Sequence, residues 1–258
     1  MLGVLLLVFG DAGAFGPAGH LVAGEIAESR LCSAARQEID RLGNGDSVAE
    51  LGLWADQIRS TARWRESAPW HYLNIDDDAS LDTYRTPPGG DILWAIDRFR
   101  ERFADAGLSN RERANALKFL IHFVVDLHQP LHVGRKEDRG GNTIDIVISG
   151  ESVDLHRYWD SLVMRDELPV RDYLRRATAL IPLLPATPAD TTPLAWAAES
   201  FALRETVYDF ELSTGLIDSG YEAVASDITR IRLIQAGLRL ADELNALLCV
   251  EKEGLLGP

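Results

Sequence analysis

Histidine and aspartate residues in the middle of the chain have the types and spacing of metal ligands. His122 and Asp126 are four residues apart, His132 follows six residues later, and His156 and Asp160 repeat the His-x-x-x-Asp spacing. Because residues i and i+4 share one face of a helix, each pair can direct an imidazole and a carboxylate at one point. The sequence therefore predicts a metal centre built from two helices.

The helix predicted around the first pair is apolar on almost every side. Most side chains from Leu117 to Leu127 other than His122 and Asp126 are hydrophobic, which is typical of a buried helix. An unpaired charge is very costly in such surroundings, so these two side chains need a partner. A bound cation would supply it.

Nitrogen and oxygen ligands without thiolate are typical of an open, catalytic zinc site. Structural zinc sites are usually rich in cysteine, and this chain has only Cys32 and Cys249. Iron and manganese accept the same ligand types, so ligand chemistry alone leaves those metals open.

Further candidate residues lie upstream of the two pairs. His20 lies in AFGPAGH, Asp56 and Arg59 lie one turn apart in WADQIR, and His71 lies in PWHYLNI. We interpret five of the six histidines as ligands. The exception is His128, which points away from the Asp126 face of the helix, and we predict a structural role for it.

Length and composition are those of a globular protein. The chain has 258 residues, 46% of them hydrophobic, enough for one large domain or two small ones, and no linker or internal repeat divides it. The net charge of −14 argues against a protein that wraps duplex DNA with a basic face. A nucleic-acid substrate stays possible if bound metal ions neutralise its phosphates.

The N-terminal residues read as an export signal. MLGVLLLVFGDAGA combines a short apolar run with a small-x-small ending, so we predict a signal peptide at 1–14 and a mature domain at 15–258 that begins with Phe15. A buried N-terminal helix is the alternative. The apolar run is too short to span a bilayer, and the rest of the chain has no longer apolar run, so we expect no membrane insertion. We expect a secreted or periplasmic protein with at most one disulfide.

Periodicity and helix-boundary residues predict a mainly α fold in a single compact multi-helix domain. An acidic loop with proline and glycine covers Asp76–Gly90, and the alternating TIDIVIS predicts one strand or small β-hairpin near Thr143–Ser149. Helices are predicted at Gly19–Leu31, Ser33–Leu42, Ser47–Arg65, Asp91–Ala106, Arg111–His128, Asp154–Arg165, Val170–Ile181, Pro193–Phe210 and Tyr221–Val250.

The order of these motifs resembles a known family. WADQIR, WHYLNI, HFVVDLHQPLH, GGN, DLHRYWD and WAAES are similar to the motifs of the trinuclear-zinc single-strand nucleases of the mung bean nuclease type, whose fold is shared by zinc phospholipases C. The resemblance covers about residues 15–200. It implies three zinc ions as cofactors and a helical fold of the same type.

The resemblance also assigns ligands. One zinc would be held by Asp56, His71, His122 and Asp126, and a second would share Asp126 and take His20 with the amine and carbonyl of the N-terminal Phe15. The third would be held by His132, His156 and Asp160. The family typically begins with tryptophan, but the ligating atoms of Phe15 are backbone atoms, so we expect that site to survive.

For the chemistry, two neighbouring zinc ions can activate a water for attack on phosphorus, with Asp126 as the natural bridge between them. The resemblance places Arg59 beside the scissile phosphate and a base pocket around Tyr72 and Asn74. Asp56, Arg59 and Asp126 are thus the predicted catalytic residues. A surface ion pair is the alternative role for Arg59, and packing beside His71 is the alternative role for Tyr72.

For three loop features, the sequence leaves both a functional and a purely structural role open. Asn142, after two glycines, is a candidate for substrate contact, although a turn-forming role is the simpler interpretation. Asp138 is expected to be a solvated loop charge. Asp76–Asp78 could bind calcium, but a solvated acidic loop fits better.

These features predict a zinc-dependent endonuclease that cuts single-stranded RNA and DNA to 5′-phosphate products and also hydrolyses 3′-nucleotides. No stable protein partner is implied. The alternatives are a phospholipase C on the same scaffold and a zinc-binding protein without catalytic activity.

Overall fold

The computed structural model describes residues 15–164, 170–184 and 192–249. It confirms the mainly α fold, with helices around one small antiparallel sheet. The helices are Pro17–Glu28 (α1), Ser33–Gly43 (α2), Val48–Leu51 (α3), Trp54–Ile58 (α4), Ile92–Ala104 (α5), Asn110–Asp126 (α6), Leu155–Asp160 (α7), Val170–Leu180 (α8), Pro193–Ala202 (α9), Arg204–Val207 (α10) and Ser219–Leu248 (α11). Short 3₁₀-helices cover Arg65–His71, Leu81–Thr83, Pro130–Val133, Leu162–Met164 and Ile181–Leu183.

Helix α6 lies at the centre of the fold. It packs against α5 most extensively and also contacts α1, α2, α3, α4 and α11. Its second half is buried on all sides, as the apolar sequence predicts. The helix begins at a capping box in which Ser109 and Glu112 satisfy each other's backbone N–H groups. A polar side chain in the second half of α6 therefore faces protein rather than water.

Helices α1 and α11 pack closely because Gly237 of α11 has no side chain at their contact. A Cβ atom at Gly237 would lie 2.6 Å from Cβ of Ile26, which is closer than atoms can pack. The absence of a side chain there lets the two helices approach and buries Ile26 in the main hydrophobic core. This contact fixes α1, and with it His20, against the rest of the fold.

The strand or small β-hairpin predicted near Thr143–Ser149 is a hairpin, and its first strand is Asp145–Ile148 (β1). Glu151–Asp154 (β2) pairs with it antiparallel, Ile146 opposite Val153. The turn between the strands is Ser149–Gly150, with φ values of 53° and 82°, which fits the type I′ turns that join tight hairpins. The predicted helix Asp154–Arg165 is shorter in the structure. Asp154 caps α7 through the N–H of Arg157, so the helix begins at Leu155, and it ends at Asp160.

The predicted helix Ser47–Arg65 is wrong in its length. The capping box of Ser47 and Glu50 is present, but α3 ends at Leu51 and a new helix, α4, begins at Trp54. The break leaves the carbonyl of Gly52 to accept a hydrogen bond from Nδ1 of His122 at 2.7 Å. The Gly52 carbonyl is thus bonded to a side chain 70 residues away in sequence instead of to a backbone N–H of the same helix. The predicted helix Pro193–Phe210 is likewise divided, into α9 and α10.

Several predictions fall on residues outside the described ranges. They are the signal peptide at 1–14, Arg165 at the end of the helix predicted from Asp154, and Val250 at the end of the last predicted helix.

A disulfide joins Cys32 to Cys249, which agrees with the prediction of at most one disulfide. It links the residue that caps α2 to the residue that follows α11. The amide N–H of Cys32 also donates to Oδ1 of Asn245 at 2.9 Å. Within the described residues, no helix is long and apolar enough to cross a membrane.

Candidate metal centre and active site

The fold brings the predicted ligands together beneath one cavity. Three groups of side chains have ligand atoms within 4.8 Å of one another. They are His20 with His122 and Asp126, Asp56 with His71 and His122, and His132 with His156 and Asp160. All the predicted side-chain ligands are therefore in one of these groups, as the spacing and the resemblance imply.

Asp126 lies between the first two groups. Its Oδ1 is 3.2 Å from Nε2 of His20, while its Oδ2 is 3.0 Å from Nδ1 of His71 and 3.1 Å from Nε2 of His122. Asp56 completes the second group, with Oδ1 3.7 Å from Nε2 of His122. The two oxygens of one buried carboxylate thus face different groups, which is the arrangement that a bridging ligand requires.

The third group is built by α7 and the 3₁₀-helix after α6. Oδ2 of Asp160 is 3.2 Å from Nε2 of His156, and Oδ1 of Asp160 is 3.7 Å from Nε2 of His132. The i,i+4 spacing of His156 and Asp160 on α7 produces this convergence, as it does for His122 and Asp126 on α6.

Backbone carbonyls orient three of the histidine rings. Nδ1 of His122 donates to Gly52, Nδ1 of His132 donates to the carbonyl of His71 at 2.5 Å, and Nδ1 of His156 donates to Gly140 at 2.6 Å. A proton held at Nδ1 leaves Nε2 with a free lone pair that points into the site. Metal-binding histidines are commonly oriented in this way.

The electrostatics of the groups favour positive charge between carboxylates. Burial opposes protonation of His122, but Asp126 and Asp56 outweigh it and raise the pKa of His122 to about 9. Asp160 in the same way raises the pKa of His156 to about 9. Burial also opposes ionisation of Asp160, yet the neighbouring histidines, His156 above all, hold its pKa at about 2. The carboxylates therefore favour positive charge at His122 and His156, whereas burial lowers the pKa of His20 and of His71.

Unpartnered buried atoms test whether these residues fit metal ions. Nε2 of His20, Oδ1 of Asp126, Oδ1 of Asp56, Nε2 of His132 and Oδ2 of Asp160 are inaccessible to water and accept or donate no hydrogen bond within the described part of the chain. Buried polar atoms are rarely left in this state. Each of these atoms points toward its own group, so a bound metal ion would give it a partner. The residues of the three groups therefore fit metal ions.

A cavity of about 420 Å³ opens over the groups. His71, His132 and His156 form part of its wall, so a ligand in the cavity would meet at least two of the groups. Its remaining polar wall includes four predicted substrate or catalytic residues, Arg59, Tyr72, Asn74 and Asn142.

These residues are placed as follows. Arg59 lies 3.6 Å from Oδ1 of Asp56, so it forms an ion pair and also lines the cavity. Tyr72 is 40% exposed, so its ring is available at the cavity wall rather than packed away. Asn142 donates from Nδ2 to the carbonyl of Arg139 at 2.8 Å, which supports its turn-forming role without removing it from the wall.

Two other predictions, both on loop acids, have a clear outcome. Asp138 is not a solvated charge, because it is buried and accepts a hydrogen bond from the N–H of Gly141 at 2.8 Å. Asp77 forms ion pairs with Arg135 and Arg204, which favours a structural acidic loop over a calcium site.

His128 has the structural role that we predicted. It is fully buried, donates from Nδ1 to Val124 and accepts from Arg239 at Nε2. Burial, together with the nearby Arg232 and Arg239, lowers the pKa of His128 well below its usual value.

The sequence analysis missed Gln129, which is fully buried. Its Nε2 donates to Oδ1 of Asp160 at 2.6 Å, and its Oε1 accepts from the backbone N–H of Leu131. One side chain therefore supports a ligand of the third group and fixes the turn that carries His132. Its position between Asp126 and His132 was the available signal, since a polar residue between two ligands and before Pro130 has to find buried partners.

Comparison with known proteins agrees with this geometry. The model of the S1/P1 nuclease family matches residues 15–249. The chain belongs to the S1/P1 nuclease family. The expectation of a nuclease, an enzyme that hydrolyses phosphodiester bonds, is confirmed at this level.

Relatives in the S1/P1 nuclease family come from plants and fungi. The chain is 27% identical to Endonuclease 4 of Arabidopsis thaliana over 95% of its own length and 92% of that protein. It is 26% identical to Nuclease P1 of Penicillium citrinum over 90% of its length and 97% of the relative. It is 31% identical to Nuclease S1 of Aspergillus oryzae over 57% of its length and 53% of that protein.

Proposed function

We propose that this member of the S1/P1 nuclease family is a zinc-dependent endonuclease that cuts single-stranded RNA and DNA to 5′-phosphate products, and that it also removes phosphate from 3′-nucleotides. The observation that carries the proposal is the set of three buried histidine and aspartate groups beneath one cavity lined by an arginine.

We propose that Asp56, His71, His122 and Asp126 hold one zinc ion, that a second shares Asp126 and takes His20 with the amine and carbonyl of Phe15, and that His132, His156 and Asp160 hold the third. When bound, zinc lowers the pKa of a coordinated water toward neutrality and polarises a phosphoryl oxygen. Asp126 would be shared by two of the ions, because its two oxygens face different groups.

The other wall residues bind and orient the substrate. Arg59 donates hydrogen bonds to the phosphate oxygens and stabilises the charge that builds there, as charge-assisted donors do in phosphoryl transfer. Asp56 holds Arg59 in place at 3.6 Å. Tyr72 offers an exposed ring on which a base stacks, and Asn74 and Asn142 offer amides to its polar edge.

The first test is a comparison of substrates with the protein free of its N-terminal segment. Denatured DNA, RNA, a 3′-nucleotide and a phosphatidylcholine emulsion are each incubated with and without a chelator. We expect turnover of the first three, lost with the chelator, and elemental analysis should give about three zinc ions per chain. Turnover of the lipid alone would support the phospholipase alternative, and tight zinc without any turnover would support the binding-protein alternative.

We further propose that residues 1–14 are a signal peptide, that 15–258 form the mature domain, and that the protein is secreted or periplasmic. The disulfide between Cys32 and Cys249 supports an oxidising compartment. In this view the amine and carbonyl of Phe15 complete the His20 zinc site after cleavage.

Support for the Phe15 ligand comes from its surroundings. Phe15 is fully buried, the N–H of Gly16 donates to the carbonyl of Asp160 at 2.5 Å, and both ring nitrogens of His20 lack a partner in the described structure. An added residue would displace the amine by several ångströms, whereas a zinc–nitrogen bond needs about 2.0–2.1 Å.

The test compares protein that begins at Phe15 with protein that begins Gly-Ser-Phe15. The extended form should stay folded, hold fewer zinc ions and lose most of its activity. Equal metal content and equal turnover in the two forms would remove Phe15 from the ligand set and leave the other assignments in place.

A further inference from the structure

Arg139 lies in the loop that orients a ligand of the third group. The residue that follows it, Gly140, accepts the hydrogen bond from Nδ1 of His156 at 2.6 Å. Arg139, Gly140 and Gly141 have consecutive positive φ values of 58°, 69° and 82°. A Cβ atom at Gly140 would lie 2.6 Å from the carbonyl oxygen of Leu131, so that position requires glycine.

The same loop fixes the backbone of Arg139. Its carbonyl accepts from Asn142, and Asp138 accepts from the N–H of Gly141, each at 2.8 Å. Left-handed φ values are uncommon for residues with long side chains, and asparagine, aspartate and glycine are the usual occupants. An arginine at a position that favours small turn residues indicates that its side chain has a use.

The charge of Arg139 is available to a ligand. Its side chain is exposed, lines the cavity, and forms no ion pair with any residue in the described ranges. The nearest acid in sequence, Asp138, is buried and accepts a hydrogen bond from the N–H of Gly141. Arg59, by contrast, lies 3.6 Å from Asp56. In a chain with a net charge of −14, an arginine without an acidic partner at the cavity marks a place for an anion.

The two arginines belong to different parts of the wall. Arg59 caps the end of α4, the helix that carries Asp56, and lies beside the first two groups. Arg139 lies in the loop whose carbonyl orients His156 of the third group. A phosphate held by the metal groups and Arg59 therefore leaves Arg139 for another phosphate of the same strand. A 3′-mononucleotide has only one phosphate and cannot use both.

We infer that Arg139 binds the phosphate next to the scissile one along a single strand, and that it thereby favours polynucleotides over 3′-mononucleotides. The inference rests on the proposed function of the same site. It makes Arg139 a specificity residue rather than a catalytic one, since it contacts the substrate away from the bond that breaks.

The test uses Arg139→Asn, because asparagine accepts a positive φ and the substitution removes the guanidinium with its charge. The matched control is Lys136→Asn, which removes the same charge three residues earlier, where the side chain lines a different cavity beside Asp76–Asp78. Arg139→Lys keeps the charge. All variants are checked for zinc content and melting temperature.

We expect Arg139→Asn to raise KM for a single-stranded oligonucleotide about threefold to tenfold and to leave KM for a 3′-mononucleotide within about twofold. The slope of log Kd against log salt for a fluorescent phosphorothioate oligothymidylate should fall by about 0.7, the value for one phosphate contact on a single strand. Arg139→Lys should keep the slope, and Lys136→Asn should change none of these quantities.

Equal losses on both substrates, or an unchanged salt slope, would overturn the inference. The binding measurement separates it from the proposed function. If the wild-type protein cuts no nucleic acid, the proposed function fails, whereas Arg139 is still judged by the salt slope of oligothymidylate binding.

Discussion

Asp126 is the single residue on which most of the site depends. Its carboxylate is fully buried and faces three histidines from three different segments of the chain. His122 also lies near both groups, but its one free nitrogen, Nε2, can bind only one ion. The charge of Asp126 therefore acts on two proposed zinc ions at once.

We predict that Asp126→Asn lowers turnover more than any other single ligand substitution. The amide keeps the size of the side chain but removes the negative charge, so the loss should exceed the about 10–100-fold typical of residues that only support a ligand. Turnover and zinc content are compared with those of His132→Ala. Near-native turnover of Asp126→Asn beside an inactive His132→Ala would contradict the bridging role.

Gln129 has a different kind of importance, because it supports a ligand without being one. We predict that Gln129→Leu weakens zinc binding at the third group by about 10–100-fold, since Asp160 loses its donor and the turn before His132 loses its acceptor. Competition with a graded chelator measures this affinity. The control is Gln57→Leu, an exposed position beside Asp56, and equal affinities in the two variants would refute the prediction.

At the level of secondary-structure elements, the features that depend on hydrophobic periodicity and on helix capping can be predicted from the sequence. The buried half of α6, the ligand pairs on α6 and α7, and the capping box at Ser47 all follow from local patterns. The break between α3 and α4 does not, because it depends on a hydrogen bond between Gly52 and His122, which lie 70 residues apart in sequence.

Two further features could not be fixed from the sequence. β2 is four residues long and mostly polar, so the sequence left open whether β1 was a lone strand or part of a hairpin. Arg232 and Arg239 interrupt the apolar face of α11, and Glu199 on α9 balances the charge of both. Contacts between distant segments leave no local pattern in a sequence.

Glu199 connects α9, α11 and the end of α6. It accepts from Arg232 at 2.6 Å and from Arg239 at 2.6 Å, and these arginines donate to the carbonyl and the ring of His128, respectively. We predict that Glu199→Gln lowers the free energy of unfolding by about 3 kcal/mol, because it leaves two buried arginines without their carboxylate.

Urea denaturation measures this loss, with Glu205→Gln on the exposed side of α10 as the control. Zinc content of the folded protein should stay unchanged, because Glu199 belongs to none of the three groups. A midpoint equal to that of the control would show that the cluster contributes little to stability.

At the scale of the whole molecule, the charge distribution restricts the substrate. A net charge of −14 provides no general attraction for a duplex. The proposed stacking of a base on Tyr72, at the cavity wall, requires that the base is unstacked. We predict faster cleavage of a single-stranded oligonucleotide than of the same sequence in a duplex. Equal rates at matched salt concentration would contradict a pocket that requires an unstacked base.

The disulfide closes the molecule from the start of α2 to the end of α11. Its two cysteines are 217 residues apart in sequence and pack at the edge of the main core. A cross-link over so long a segment restricts the unfolded chain, so we predict that its removal lowers the free energy of unfolding by about 2–4 kcal/mol. Zinc content and turnover of the folded protein should not change.

The variant for this measurement has to remove the bridge and nothing else. Sγ of Cys32 also accepts from the N–H of Ala35 as the cap of α2, so Cys32→Ser is preferred, since serine is a favourable N-cap, and it is combined with Cys249→Ala. Wild-type protein unfolded under reducing conditions should match the double variant. If the reduced wild type and the variant unfold at the same urea concentration as the oxidised protein, the bridge does not stabilise the fold, and the contact of Asn245 with the backbone of Cys32 is sufficient to hold the two helices together.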